Sequence, residues 1–173
     1  MRKKLLASRV LALSIVGAAC VAPPALAATE TDDMEVSLTV TASCTIAVDP
    51  LDFGSIGTLT TGASPVDASA AIDVTCTSDA DYQVGLDLDG NADDDQRRLR
   101  NTGATNEYLN YGLFTENATY TDAWGDTLDT DTVVGTGSSA EQTLTVYGRI
   151  PAGQAVSLGA YTDSVTATIW YGL

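Results

Sequence analysis

The stretch Met34-Glu35-Val36-Ser37-Leu38-Thr39-Val40-Thr41-Ala42-Ser43-Cys44-Thr45-Ile46-Ala47-Val48 carries an apolar or small side chain at every even position. Its odd positions are polar, apart from Ala47. A period of two is the mark of a β-strand with one buried face. Fully extended, such a run spans ~50 Å at ~3.3 Å per residue, whereas strands usually have about 3–10 residues. The pattern therefore predicts two strands in succession, divided near Ala42-Ser43. Cys44 anchors the second strand in the domain. The first, Met34 to Val40, has no assigned seat in its own fold. An amphipathic strand without a seat exposes apolar side chains and an unpaired backbone edge, and so needs a partner sheet. One long bent strand, or a strand paired within its own domain, is the alternative.

The same period recurs down the chain. Ala68, Ala70, Ile72, Val74 and Cys76 alternate with Ser69, Ala71, Asp73 and Thr75. Tyr82 to Leu88, Leu144 to Ile150 and Val165 to Tyr171 read the same way, with Trp170 pointing outward by parity from Ile169. Tyr108 to Phe114 reads as one further strand, and Thr115–Ser139 as a long polar, Gly-rich connection. Turn residues separate the runs at Asp49-Pro50, Thr61-Gly62, Asp89-Gly90-Asn91 and Pro151-Ala152-Gly153. No helical period follows the N-terminal segment. Five or more half-buried strands in one domain predict an all-β antiparallel sandwich.

The first 27 residues contain no acid and four of the eight bases, Arg2, Lys3, Lys4 and Arg9. Their basic head, the apolar run Val10–Val16 and the small-x-small triplet Ala25-Leu26-Ala27 predict an export signal over 1–27, cut after Ala27. The apolar stretch is shorter than the ~20 residues that span a bilayer. A lipoprotein cut before Cys20 would want a large aliphatic residue three places upstream, where Gly17 stands. From Ala28 on, four arginines (Arg97, Arg98, Arg100, Arg149) face 23 carboxylates, a net charge of −19, with no lysine and no histidine. Such a surface cannot neutralise phosphates, which excludes a nucleic-acid binder and electrostatic docking on anionic lipid. The missing residue types exclude His-based acid–base chemistry and lysine Schiff-base chemistry. Cys44 and Cys76 are the cysteines left after cleavage, and in an exported chain such a pair predicts one disulfide. Free thiols are the alternative; two thiolates with no histidine make a poor zinc site.

Several short pieces, in order, resemble the spore coat protein U domain of archaic (Csu-type) chaperone–usher pilin subunits. They are the amphipathic N-terminal segment ending in Ser43-Cys44, Leu51-Asp52-Phe53-Gly54, Ile72-Asp73-Val74-Thr75-Cys76, Tyr82-Gln83-Val84-Gly85-Leu86-Asp87 and Arg98-Leu99. Tyr108–Phe114, Trp124-Gly125-Asp126, Tyr147–Gln154 and Gly159–Ile169 continue the series. The resemblance implies an incomplete immunoglobulin-like sandwich over 43–173 that lacks its last strand, preceded by an N-terminal extension over 28–42. It implies that a periplasmic chaperone fills the gap in transit, and that at an outer-membrane usher the extension of the next subunit replaces the chaperone. On this chain the donor lies in Thr29–Val40 and inserts Met34, Val36, Leu38 and Val40. The acceptor groove is flanked by Val165, Ala167 and Ile169. The expected product is a head-to-tail pilus of identical or related subunits at the cell surface, serving adhesion and biofilm, with no cofactor.

Other chemistries find weaker anchors. Asp87, Asp89, Asn91 and Asp93 set oxygen ligands at alternate positions, as calcium loops do, but no register supplies the glycine and glutamate of an EF-hand. The alternative there is a solvated turn partly neutralised by Arg97, Arg98 and Arg100. Eighteen Asp and five Glu offer glycosidase-like pairs everywhere and so single out none. Tyr111, Tyr120 and Trp124 are candidates for a sugar-stacking face in a monomeric secreted carbohydrate-binding sandwich, or else for the core.

Overall fold

The computed structural model describes residues 27–57, 64–88, 90–103 and 106–173. The export signal, the Thr61-Gly62 turn and Asp89 lie outside these residues, except that Ala27 is described. Contacts divide the chain into Met1–Leu38 and Thr39–Leu173. Among the described residues there are ten strands and no helix.

The longest strands are the ones with the clearest alternation. β2 (Val66–Cys76) and β8 (Glu141–Ile150) pair antiparallel from Val66↔Ile150 to Thr75↔Glu141. β1 (Cys44–Val48) adds to the free side of β2, with Cys44 facing Cys76 and the two joined by a disulfide. A second sheet is built on β3 (Asp81–Leu86). It pairs with β10 (Ala167–Tyr171) on one side and β7 (Val133–Thr136) on the other. Inward side chains of both sheets form one core: Ile72 and Val74 from β2, Tyr82, Val84 and Leu86 from β3, Val146 and Ile150 from β8. Trp124 closes it, almost wholly buried, and its indole N–H donates to the Val84 carbonyl at 2.8 Å.

β3 is buried on both faces, which its alternation does not announce. The outward Gln83 amide bonds Asp129 and Thr132 of the covering loop. Gly85 is needed beneath that loop, because a Cβ there would stand 2.8 Å from the Asp126 Cα and 2.8 Å from the Trp170 ring.

Four expectations are corrected. The single strand over Tyr108–Phe114 is two, β5 (Tyr108–Asn110) and β6 (Gly112–Phe114), which join different sheets. β6 extends the sheet in the order β1-β2-β8-β6, whereas β5 pairs with β4 (Arg98–Asn101), which also pairs with β9 (Tyr161–Thr162). The switch falls at Tyr111, whose carbonyl is taken by the Gln96 side chain at 2.7 Å instead of by a strand. The connection Thr115–Ser139 contains β7 and contributes Trp124 to the core. The last strand starts at Ala167 rather than Val165, because the Asp87 carboxylate captures the Thr166 N–H at 2.7 Å. Arg97 does not neutralise the acidic turn. It is buried, and its guanidinium donates to the carbonyls of Leu86, Asp87 and Trp124.

Candidate functional site

Each sheet has one edge at the same side of the sandwich, β1 in the first and β10 in the second. These edges come together at one end, where Gly172 lies beside Ala42. At the other end the chain leaves β1 through Asp49-Pro50, and proline has no N–H to continue a ladder. There a cleft of about 420 Å³ lies between Val48–Leu51 and Val165–Ala167. It reaches down to Ile72, Leu86 and Val146, which belong to the core.

The cleft continues into two others. One of about 660 Å³ shares Leu51, Phe53, Leu99 and Asp163 with it. A third, of about 630 Å³, adjoins through Ile56, Leu109 and Leu158. Together they make one furrow that runs from the gap between Val48 and Val165 past Leu99 of β4 and Leu109 of β5. Its walls are apolar side chains that pack on the core without being covered, among them Leu51, Phe53, Leu99 and Val165. Phe53 meets Tyr111 edge to face at 6.2 Å. Leu51 and Phe53 lie over Gly148, where a Cβ would stand 3.0 Å and 2.8 Å from them.

Val165, Ala167 and Ile169 are half-buried, with inward side chains packed on the core, while Ser164, Thr166 and Thr168 are exposed. Val165 and Ala167 line the furrow directly. The disulfide Cys44–Cys76 fixes β1, and with it one wall. Residues 27–43 form no strand. Within them Met34, Val36, Leu38 and Val40 are 86, 84, 87 and 72% exposed. Four alternating apolar side chains are thus presented to solvent by a chain whose domain keeps an apolar furrow open.

The residues considered for a cation engage other groups. Asp87 bonds the Thr166 N–H, the Asn91 amide donates to Asp163 at 2.7 Å, and Asp93 pairs with Arg98 at 2.9 Å. Among the described residues no group of three or more His, Cys, Asp or Glu is arranged to hold a metal ion. The three aromatic residues considered for a sugar face do not form one. Trp124 and Tyr111 are core, and Tyr120 lies against Phe114 and beneath the Arg149 guanidinium, 3.5 Å from its ring centroid.

The sequence reading named Val165 and Ala167 at the groove but none of the other residues that line the furrow. Leu51 and Phe53 come from one segment, and Leu99, Tyr111 and Asp163 from three others. The signal available for the first two was the Leu51-x-Phe53 alternation directly after Asp49-Pro50.

The family description Spore Coat Protein U domain matches residues 30–168. The chain belongs to the spore coat protein U domain family. It is 33% identical over 161 residues to Protein U of Myxococcus xanthus, covering 86% of this chain and 88% of that protein. Among solved structures it is similar to a chain of the CsuC–CsuE chaperone–tip adhesion subunit pre-assembly complex from archaic chaperone–usher Csu pili of Acinetobacter baumannii. That likeness has a TM-score of 0.54 at 20% identity and covers 76% of this chain; the chain spans 40% of the length of the one it matches. The minor tip subunit HdaB of the Escherichia coli Hda pilus is matched at a TM-score of 0.40 and 15% identity, over 73% of this chain and 79% of that one. The likeness to the Csu chain, at 20% identity, shows the fold.

Proposed function

We propose that the protein is a structural subunit of a surface pilus, assembled along a chaperone–usher route by donor-strand exchange. Residues 1–27 direct export, 28–42 are the donor extension and 43–173 the acceptor domain. Met34, Val36, Leu38 and Val40 of one subunit enter the furrow of the next and pair along β10, beside Val165, Ala167 and Ile169. A periplasmic chaperone occupies the furrow until an outer-membrane usher brings the next subunit. The observation that carries this reading is the coexistence, in one chain, of an open apolar furrow and an exposed segment of matching period.

The energetics support it. Burying four such side chains contributes roughly 6–12 kcal/mol gross, at ~1.5–3 each. Main-chain ladder bonds add to this, as in other strand additions. Ordering the donor costs ~1–2 kcal/mol per residue, so fit decides the net. Register follows from the period, since a slip of one residue would turn Glu35, Ser37 and Thr39 inward. Donor and acceptor on one chain make a heterologous contact, which propagates as an open filament. Such a filament at the cell surface serves attachment and biofilm.

Removing Ala28–Thr41 tests the proposal. The expected result is a domain recovered with its chaperone that forms no ladder of oligomers on an unheated detergent gel. A ladder from the truncated chain would end the proposal. A monomeric carbohydrate-binding module, the other reading of the sequence, finds less support, because Trp124 and Tyr111 lie in the core.

A further inference from the structure

We infer that the joint between subunits is self-repulsive in charge, so that donor insertion is gated by ionic strength. The inference rests on the donor-strand reading and adds the condition under which the joint closes.

The donor extension, residues 28–42, carries Glu30, Asp32, Asp33 and Glu35 and no Arg or Lys. The amino group freed by cleavage after Ala27 offsets one of these four charges. The furrow is lined by Asp49, Asp52, Glu107 and Asp163, and no Arg or Lys lines it among the described residues. Acid therefore meets acid when one subunit fills the next. Strand addition usually draws on complementary potentials; here that contribution is reversed.

Three of the four cations of the mature chain are held elsewhere. Arg97 is buried on backbone carbonyls. Arg98 pairs with Asp93, and Arg149 makes a two-pronged bond to Asp67 at 2.6 and 2.8 Å. Arg100 lines a polar hollow that meets the furrow at Asp163 and Ser164, and so stands at its margin. Each subunit also approaches with a net charge of −19. Charges steer encounter rates by about 10–10³-fold, and repulsion acts over the Debye length, about 10 Å at 0.1 M salt and about 3 Å at 1 M. At low ionic strength the donor is held off although its apolar side chains fit. In strong salt the repulsion shrinks to contact range and burial prevails.

The test uses the mature chain, residues 28–173, whose self-assembly is followed on unheated detergent gels in about 0.02 M and about 1 M NaCl. The expected result is ladder growth at least about tenfold faster in the stronger salt. A chain with Glu30→Gln, Asp32→Asn, Asp33→Asn and Glu35→Gln should outpace the parent in the weaker salt and respond less to salt, the remaining response coming from the charge left on each subunit. Salting-out of apolar surface would accelerate both chains alike, so an equal salt response in parent and variant overturns the inference while leaving donor exchange standing. Absence of a ladder from either chain at both salt levels also overturns it. A Val36→Asp/Leu38→Asp chain separates the two claims. If it polymerises as well as the parent, donor exchange itself is wrong and the gate falls with it.

Discussion

The Tyr111 hydroxyl donates to the Asp163 carboxylate at 2.6 Å, tying the residue where the chain changes sheets to the furrow wall just before β10. Asp163 also accepts from the Asn91 amide at 2.7 Å, so one carboxylate joins three segments distant in sequence. A hydrogen bond to a charged group contributes ~1.5–3 kcal/mol. Tyr111→Phe keeps the ring and its edge contact with Phe53 but removes the donor. We expect a loss of about 1–2 kcal/mol in urea unfolding, with an unchanged slope. A midpoint equal to the parent's would show that the bond adds nothing net.

Arg97 acts inside the fold. Its Nη2 reaches the Leu86 and Trp124 carbonyls at 2.6 and 2.8 Å, and its Nε the Asp87 carbonyl at 3.0 Å. Burial pushes the guanidinium pKa down, while Tyr111, Asp87, Asp126 and Asp131 act against that shift. Arg97→Met fills similar volume but strands buried carbonyls, each costing ~1–3 kcal/mol. The expected destabilisation is about 3–5 kcal/mol, read from the unfolding midpoint. Arg100→Met, at an exposed position, should change stability by less than about 0.5 kcal/mol.

These two residues also mark where sequence reading stopped. The period of two was legible wherever a strand was long enough to show it, as in β2 and β8. β4 and β7 have four residues each, too few for alternation to stand out from a polar loop. The break at Tyr111 leaves no local trace, because the group that claims its carbonyl is the Gln96 side chain, 15 residues earlier. A lone arginine between an acidic turn and two other arginines reads as surface, and only the fold brings three carbonyls to it. The N-terminal pattern Met34 to Val40 was explicit, whereas the furrow was not. Its lining joins Leu51, Ile72, Leu99 and Val146, and no stretch of sequence holds them together.

Glu116 organises its own turn. Its carboxylate accepts the backbone N–H groups of Ala118, Thr119 and Thr121 and the Thr119 hydroxyl. The turn holds Tyr120 at a φ of 55°, unusual for a bulky residue, with its ring beneath Arg149. The Thr119 N–H leads in lowering the Glu116 pKa from the usual 4.5 to about 2. A carboxylate lowered by folding stabilises the folded turn above its unfolded pKa, and that contribution is lost as pH falls from 4.5 towards 2. The Thr119 and Thr121 amide resonances should therefore titrate near pH 2. Titration at the ordinary value would mean that the turn is not held this way. In Glu116→Gln these amides should show no such step.

The Cys44–Cys76 bond closes a chain separation of 32 residues and holds β1 on β2. Chain-entropy reasoning assigns it ~3.7 kcal/mol, chiefly by restricting the unfolded chain. Cys44→Ser/Cys76→Ser should lower unfolding free energy by about 3–4 kcal/mol, and dithiothreitol should do the same to the parent. Because β1 is a furrow wall, the variant should also bind a peptide of residues 28–42 more weakly than the oxidised parent. Equal affinity would show that the wall holds its place without the bond.

Gly148 allows fold and assembly to be separated. It sits on β8 opposite Leu113, and a Cβ there would stand 2.8 Å from the Phe53 ring and 3.0 Å from both Leu51 methyl carbons. These are side chains on the furrow wall and not fixed backbone, so they can swing away, and the direction left open to them is the furrow itself. Overpacking a core costs ~1–3 kcal/mol when neighbours cannot yield; here they yield into the space that the donor would occupy. Gly148→Ala should therefore lose about 1 kcal/mol or less in unfolding, while a peptide of residues 28–42 binds at least about tenfold more weakly, equivalent to ~1.4 kcal/mol. Gly137→Ala is the contrast. Its Cβ would run into the Thr77 carbonyl oxygen, which is backbone, and the whole cost should fall on stability. If Gly148→Ala weakened the fold and left peptide binding intact, Leu51 and Phe53 would not be part of the acceptor surface.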